Sequence, residues 1–200
     1  LILLANYRWF GIDSIPGSMW TQPGNWRIQD GDNWIDTMAV PTKDDSALFA
    51  GPMSERPVFG CYVDTTRVDI TSLTVEASFK QGEDERAIGL HHPSGGGTQL
   101  VVKTTLTMNG AAISGLGNLH VGYDDQGAAT AATFNWTGGR ISGSGQTLPL
   151  VDVSPLSTLA YSGSAEKILS HRQLTAKKVT WTAAGTISLQ DEAHFRTFGA

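Results

Sequence analysis

Cysteine is nearly absent. Cys61 is the only one in 200 residues, so no internal disulfide can staple the chain, and the thiol reads as a buried, inert side chain. Charge is also scarce: 14 Lys and Arg stand against 19 Asp and Glu, a formal net charge of −5. The basic residues are scattered, with only Lys177 and Lys178 adjacent. That removes the basic stripe a nucleic acid would need. No run of about 20 apolar residues is present, so no helix of this segment spans a membrane. A sustained i, i+3, i+4, i+7 apolar stripe is missing too; the nearest approach, around residues 165 to 174, is short and interrupted by Ser170. Helices are therefore not expected. The fold class is all-β.

What the chain has instead is glycine, 23 residues of it, with Thr and Ser set between apolar positions. Phe134 to Leu148 (FNWTGGRISGSGQTL) nearly copies Leu106 to Leu119 (LTMNGAAISGLGNL). Overlaying them puts Gly110 on Gly138, Ile113 on Ile141, Gly115 on Gly143 and Gly117 on Gly145. A looser echo runs from Val179 to Leu189, where Thr186-Ile187-Ser188 repeats Arg140-Ile141-Ser142. Self-similarity at a spacing of a few tens of residues marks a stacked-repeat architecture. The expectation is a single-stranded right-handed parallel β-helix, a β-solenoid. Matched glycines would turn its corners, and matched Ile, Leu and aromatic residues would stack inside. The alternative is an antiparallel β-sandwich, with 106–119 and 134–148 in facing layers.

Residues 1–60 differ in character. Four of the six Trp lie between Trp9 and Trp34, in a stretch expected to be irregular. The first rung of a stack needs a cover, and large aromatics provide one with few residues. Trp20, Trp26 and Trp34 are also the candidates for a glycan-binding platform, the competing reading. Leu1 to Ala5 (LILLA) fits either the tail of an export signal or a first strand. Residues 61–200 carry the strand rhythm, as in Val68-x-Ile70, Leu73-x-Val75 and Val151-x-Val153. Residues 80–98 interrupt it with charge, His91-His92 and a Gly run, and read as an inserted loop. The end of the chain has no recognisable cap, which suggests either a longer parent chain or a partner over the last strands.

These segments (LTMNGAAISGLGNLHV, FNWTGGRISGSGQTL and LTAKKVTWTAAGTISLQDEAHF, preceded by YRWFG, GNW and VPTKDDSALF) resemble the repeats of bacterial exported β-helix proteins of the autotransporter and filamentous-adhesin kind. The resemblance implies an exported, extracellular or cell-surface location and a non-enzymatic role in adhesion or envelope structure. It implies cell-surface glycan or the rest of a parent chain as partner. It brings no catalytic motif.

A β-helix can also be a polysaccharide lyase or hydrolase, using carboxylates on neighbouring coils. Asp124 and Asp152 are the candidates, since the repeat offset lays Asp124 on Asp152 if no gap is allowed, or on Val153 once the extra Thr147 is counted, yet Asp124-Asp125-Gln126-Gly127 is also ordinary turn composition. Asp30, Asp32 and Asp36 form an oxygen-rich stretch that could hold calcium, but Trp34 breaks the EF-hand pattern. His91 and His92, near Glu83, Asp84 and Glu85, are candidate ligands without a fixed metal spacing.

Overall fold

The computed structural model describes residues 5–11, 19–51, 60–81, 84–85, 87–92, 96–182 and 184–198, and of residues 80, 81, 84 and 85 the backbone alone. Its regular structure is β apart from one short 3-10 turn, Pro23–Asn25. The strands are β1 (Asn6–Trp9), β2 (Trp26–Asp30), β3 (Asn33–Asp36), β4 (Ser46–Phe49), β5 (Cys61–Tyr62), β6 (Arg67–Glu76), β7 (Lys80–Gln81), β8 (Asp84–Glu85) and β9 (Ala87–Gly89). There follow β10 (Gln99–Ser114), β11 (Asn118–Val121), β12 (Thr133–Ser142), β13 (Leu150–Val153), β14 (Thr158–Tyr161), β15 (Lys167–Ser170), β16 (Gln173–Ala176), β17 (Lys178–Trp181), β18 (Ile187–Gln190) and β19 (His194–Thr197). All but the short β7–β8 pair belong to one large, mixed, open hydrogen-bonded network.

Within that network three parallel ladders run side by side. The first joins β1, β4, the end of β6, the middle of β10, the start of β12, β14 and β17. The second joins β5, β9, the ends of β10 and β12, β15 and β18. A third joins the starts of β6 and β10, then β11, β13, β16 and β19. β10 alone crosses all three, which is why it is 16 residues long.

Register explains the burial. Alternate residues of a strand face opposite ways, so parallel pairing lines up like with like. In the first ladder Tyr7, Ala47, Leu73, Leu106, Phe134 and Leu159 are stacked and buried. In the second the column is Cys61, Ile88, Ile113, Ile141 and Leu169. Val68, Leu100, Leu119, Val151 and Leu174 make the third. Facing out from the first ladder is a row of Asn6, Ser46, Ser72, Thr105, Thr133 and Thr158, none of them buried. Cys61 lies within the core, and burial pushes its thiol well above the usual range.

The repeat overlay holds where it rests on apolar residues: Leu106 pairs with Phe134, Met108 with Trp136 and Ile113 with Ile141, all in parallel. The two segments are side by side, not in facing antiparallel layers. Gly110 does not meet Gly138, because a bulge between Met108 and Ala112 shifts the register and sets Asn109 there. The third echo is displaced: Leu189, not Ile187, continues the Ile141 and Leu169 column. The matched corner glycines are needed for different reasons. Gly115 has φ +110°, whereas at Gly143 a Cβ would collide with the His171 carbonyl oxygen.

The Trp-rich front is more regular than its composition suggests. β1 and β4 are rungs of the first ladder, and β2 and β3 form an antiparallel hairpin on its leading edge. Gly31, at φ +59°, takes the first central position of the two-residue turn between Asp30 and Asn33. Under this edge Trp9, Trp20, Trp26 and Phe49 pack ring against ring, with centroids 4.8 to 6.0 Å apart. The 80–98 segment is not wholly a loop either. Ala87–Gly89 is a rung of the second ladder, with Ile88 fully buried between Cys61 and Ile113.

Candidate functional site

The outward face of the third ladder gathers the chain's polar chemistry. From β6 to β16 each rung there has the form apolar–x–apolar, so the middle residue points away from the core. Asp69, Val101, His120, Asp152 and Thr175 follow one another across the rungs. Beside this row runs the segment after β11. Gly122, at φ +79°, turns it away from the ladder, and Thr130 N–H donates to the Gly122 carbonyl at 2.7 Å to close it. The row and this loop bound a cleft of ≈ 220 Å³ with Arg67, Gln99, His120, Tyr123 and Asp152 in its walls.

Asp152 is the centre of the cluster. Its Oδ2 accepts from Tyr123 Oη at 2.6 Å, and its Oδ1 accepts from Thr175 Oγ1 at 2.7 Å. His120 Nδ1 is 4.0 Å from Oδ2, and the imidazole meets the Tyr123 ring edge-on at 5.8 Å. Burial lowers the His120 pKa, with Asp152 opposing and Arg67 reinforcing that shift. Burial and then Asp152 push the Tyr123 phenol far above its usual value. Arg67 is chelated by Asp69, with Nε 2.8 Å from Oδ2 and Nη2 2.6 Å from Oδ1, and that pairing raises its pKa. Nη2 also donates to the Asp124 carbonyl at 3.2 Å. At the rim Lys43 pairs with Asp125 at 2.9 Å.

The two candidate carboxylates part company here. Asp124 is a turn residue: its Oδ1 accepts from the Gln126 and Ala128 amides at 3.0 and 2.8 Å. The ladder neighbour of Asp152 is His120, not Asp124. Arg67, Asp69, Gln99, His120 and Tyr123 were not singled out from the sequence as one site. The signal lay in the triplets Val68-Asp69-Ile70, Leu119-His120-Val121 and Val151-Asp152-Val153, whose central residues share an outward column.

Trp20 and Trp26 are buried in the aromatic cluster, where Trp26 Nε1 donates to the Trp20 carbonyl at 2.8 Å. Trp34 is only partly covered and lines a second cleft of ≈ 200 Å³ with Asn6, Gln29, Ser46, Ser72 and Thr74. His91 packs edge-on against Tyr62 at 4.8 Å, and the His92 amide donates to the Gly96 carbonyl at 2.8 Å. Glu83 and the side chains of Asp84 and Glu85 lie outside the described residues. Asp30 and Asp32 belong to the hairpin turn, while Asp36, at the far end of β3, pairs with Arg27 at 2.5 Å. Among the described residues no three His, Cys, Asp or Glu side chains converge as a metal site, and no helix is long and apolar enough to cross a membrane.

Among the ionisable groups of the third-ladder cleft, the Tyr123 phenol is held above its usual pKa and the His120 imidazole below its own. A phenol held above its usual pKa is a poor base and a poor acid near neutrality. Both oxygens of Asp152 already accept hydroxyl protons, and the guanidinium of Arg67 is engaged by Asp69. No protein-family model, no curated protein and no solved structure matches the chain.

Proposed function

We propose that this chain is part of an exported, cell-surface right-handed parallel β-helix whose role is adhesion or envelope scaffolding. The observation that carries the reading is the continuous registration of three parallel ladders, with apolar columns inside and a Ser/Thr row outside the first. Connections between parallel strands are right-handed in nearly all cases, which sets the hand. Such a body presents long, regular faces, and with a single cysteine its core depends on no internal disulfide. The strand–Gly–Ile–Ser–Gly repeats that resemble bacterial exported adhesins agree with that role. The test has two parts. The protein in its native host should be removed by protease applied to intact cells, and beads coated with it should adhere to those cells or to host surfaces. Protection from external protease in unlysed cells, or beads that adhere no better than albumin-coated ones, would count against it.

A second reading, a carbohydrate-active lyase or hydrolase, is favoured by one observation: His120, Tyr123, Asp152 and Arg67 share an outward cleft. Incubation with pectin, alginate and soluble glucans decides it. Depolymerisation abolished by Asp152→Asn and retained by Asp124→Ala would establish the enzyme in place of the scaffold.

A further inference from the structure

The first ladder's outward row does not stop at Asn6. The hairpin extends it, because Asn6 Nδ2 donates to Gln29 Oε1 at 2.8 Å and Gln29 is the cross-strand partner of Trp34. One line therefore runs Trp34, Gln29, Asn6, Ser46, Ser72, Thr105 and on to Thr133 and Thr158, beyond which the next rung places the exposed Lys178. At the usual strand separation it is ~34 Å long. Trp34 stands at its head, with the Arg8 guanidinium 6.0 Å from the ring centroid on the cleft's flank.

We infer that this line is the seat of a linear, uncharged polysaccharide, with one pyranose ring against Trp34 and the chain lying across the Ser/Thr row. This names the ligand class of the adhesion reading and rests on it. Three features select the ligand. The C–H face of a pyranose carries partial positive charge and meets the electron-rich face of an indole. Amides and hydroxyls each donate and accept, which matches a polymer whose every residue presents hydroxyls. The cleft at Trp34 is lined by Asn6, Gln29, Ser46, Ser72 and Thr74 with no carboxylate among its residues, so a basic polymer finds no counter-charge there, and the Arg8 cation at its flank is already committed to the Gly51 carbonyl through Nη2 at 2.8 Å.

Affinity electrophoresis in gels containing hydroxyethyl cellulose, galactomannan or alginate tests this. The wild-type protein should be retarded by at least one neutral polymer and not by alginate. Trp34→Ala should weaken that binding about tenfold, and Trp34→Phe should keep most of it. Thr133→Glu, far from the indole, should weaken binding of the polymer severalfold while leaving a bound trisaccharide unaffected. Circular dichroism melts that match the wild type verify that each variant is folded. Wild-type mobility unchanged in every neutral polymer, stronger retardation by alginate, or Trp34→Ala binding as tightly as the parent would each overturn the inference. If no neutral polymer retards the protein while wild-type beads still adhere to cells, the glycan line is wrong and the adhesion reading stands. If wild-type beads fail to adhere while gel retardation persists, the reverse holds.

Discussion

Arg172 Nη1 donates to the carbonyl oxygen of Gly117 at 2.8 Å, joining residues 55 positions apart. The same guanidinium donates to Gly115 at 3.0 Å and to Ser142 at 2.9 Å, and the residue is wholly buried. No carboxylate pairs with it among the described residues. Its charge is held by peptide carbonyls at the glycine corners, and burial pulls its pKa down to about 10, so it stays protonated at neutral pH. Arg172→Met should leave three carbonyls without their donor and cost about 3 kcal/mol or more. Equilibrium urea unfolding measures it, and an unchanged midpoint would show that the corners hold without the clamp.

Ile141 is fully buried between Ile113 and Leu169. Ile141→Asp places an unpaired carboxylate in that column and should destabilise by several kcal/mol, of order 4. Ile141→Val removes one methylene and should cost about 1 kcal/mol. Thermal melts of the two variants that coincide with each other would refute the inward assignment.

Tyr123 and Asp152 are joined by one hydrogen bond to a charged acceptor. Tyr123→Phe, Asp152→Asn and the double variant form a cycle whose coupling should be about 1 to 2 kcal/mol. A coupling near zero would mean that the loop carrying Tyr123 does not rest on the ladder in solution.

His120 faces Asp152, Tyr123 and Arg67, and burial holds its folded pKa below the ordinary 6.5. Between the lowered folded value and 6.5 the unfolded chain binds more protons, so stability rises with pH across that window. The contribution is complete above 6.5 and is lost as pH falls through the folded pKa. NMR titration of the imidazole should give a midpoint below 6.5, and His120→Gln should flatten this part of the stability profile. A midpoint above 6.5 would mean that Asp152 outweighs burial.

The apolar side of the fold was legible because period-2 triplets state which residues turn inward, and a parallel stack repeats that statement rung after rung. Ile113 over Ile141 followed from this alone. Gly110 over Gly138 failed because a bulge, with Ala111 at φ +53°, takes up residues locally and leaves no trace in composition. The Asp124 and Asp152 overlay failed for a related reason. Residues 106 and 134 measure one spacing in the first ladder, while the longer corner between β12 and β13, residues 143–149 against 115–117 between β10 and β11, makes the third-ladder spacing from Leu119 to Val151 wider. His120 takes the place that a uniform spacing would have assigned to Asp124. Of the three Trp candidates, only Trp34 escapes the aromatic core. Its setting depends on the hairpin register, and the isolated motif Asn33-Trp34 does not reveal that.

The hairpin of β2 and β3 also gives the molecule a polarity. Its antiparallel strands occupy the first edge of the first ladder, while Trp181 and Leu189, on late rungs, are about half exposed. Each circuit of the chain leans mainly on the one before it, an arrangement in which order propagates from neighbour to neighbour. Loosening of the aromatic cluster beneath the hairpin would therefore be felt first by the rungs next to it, β4 and β6, and only through them by the later ones.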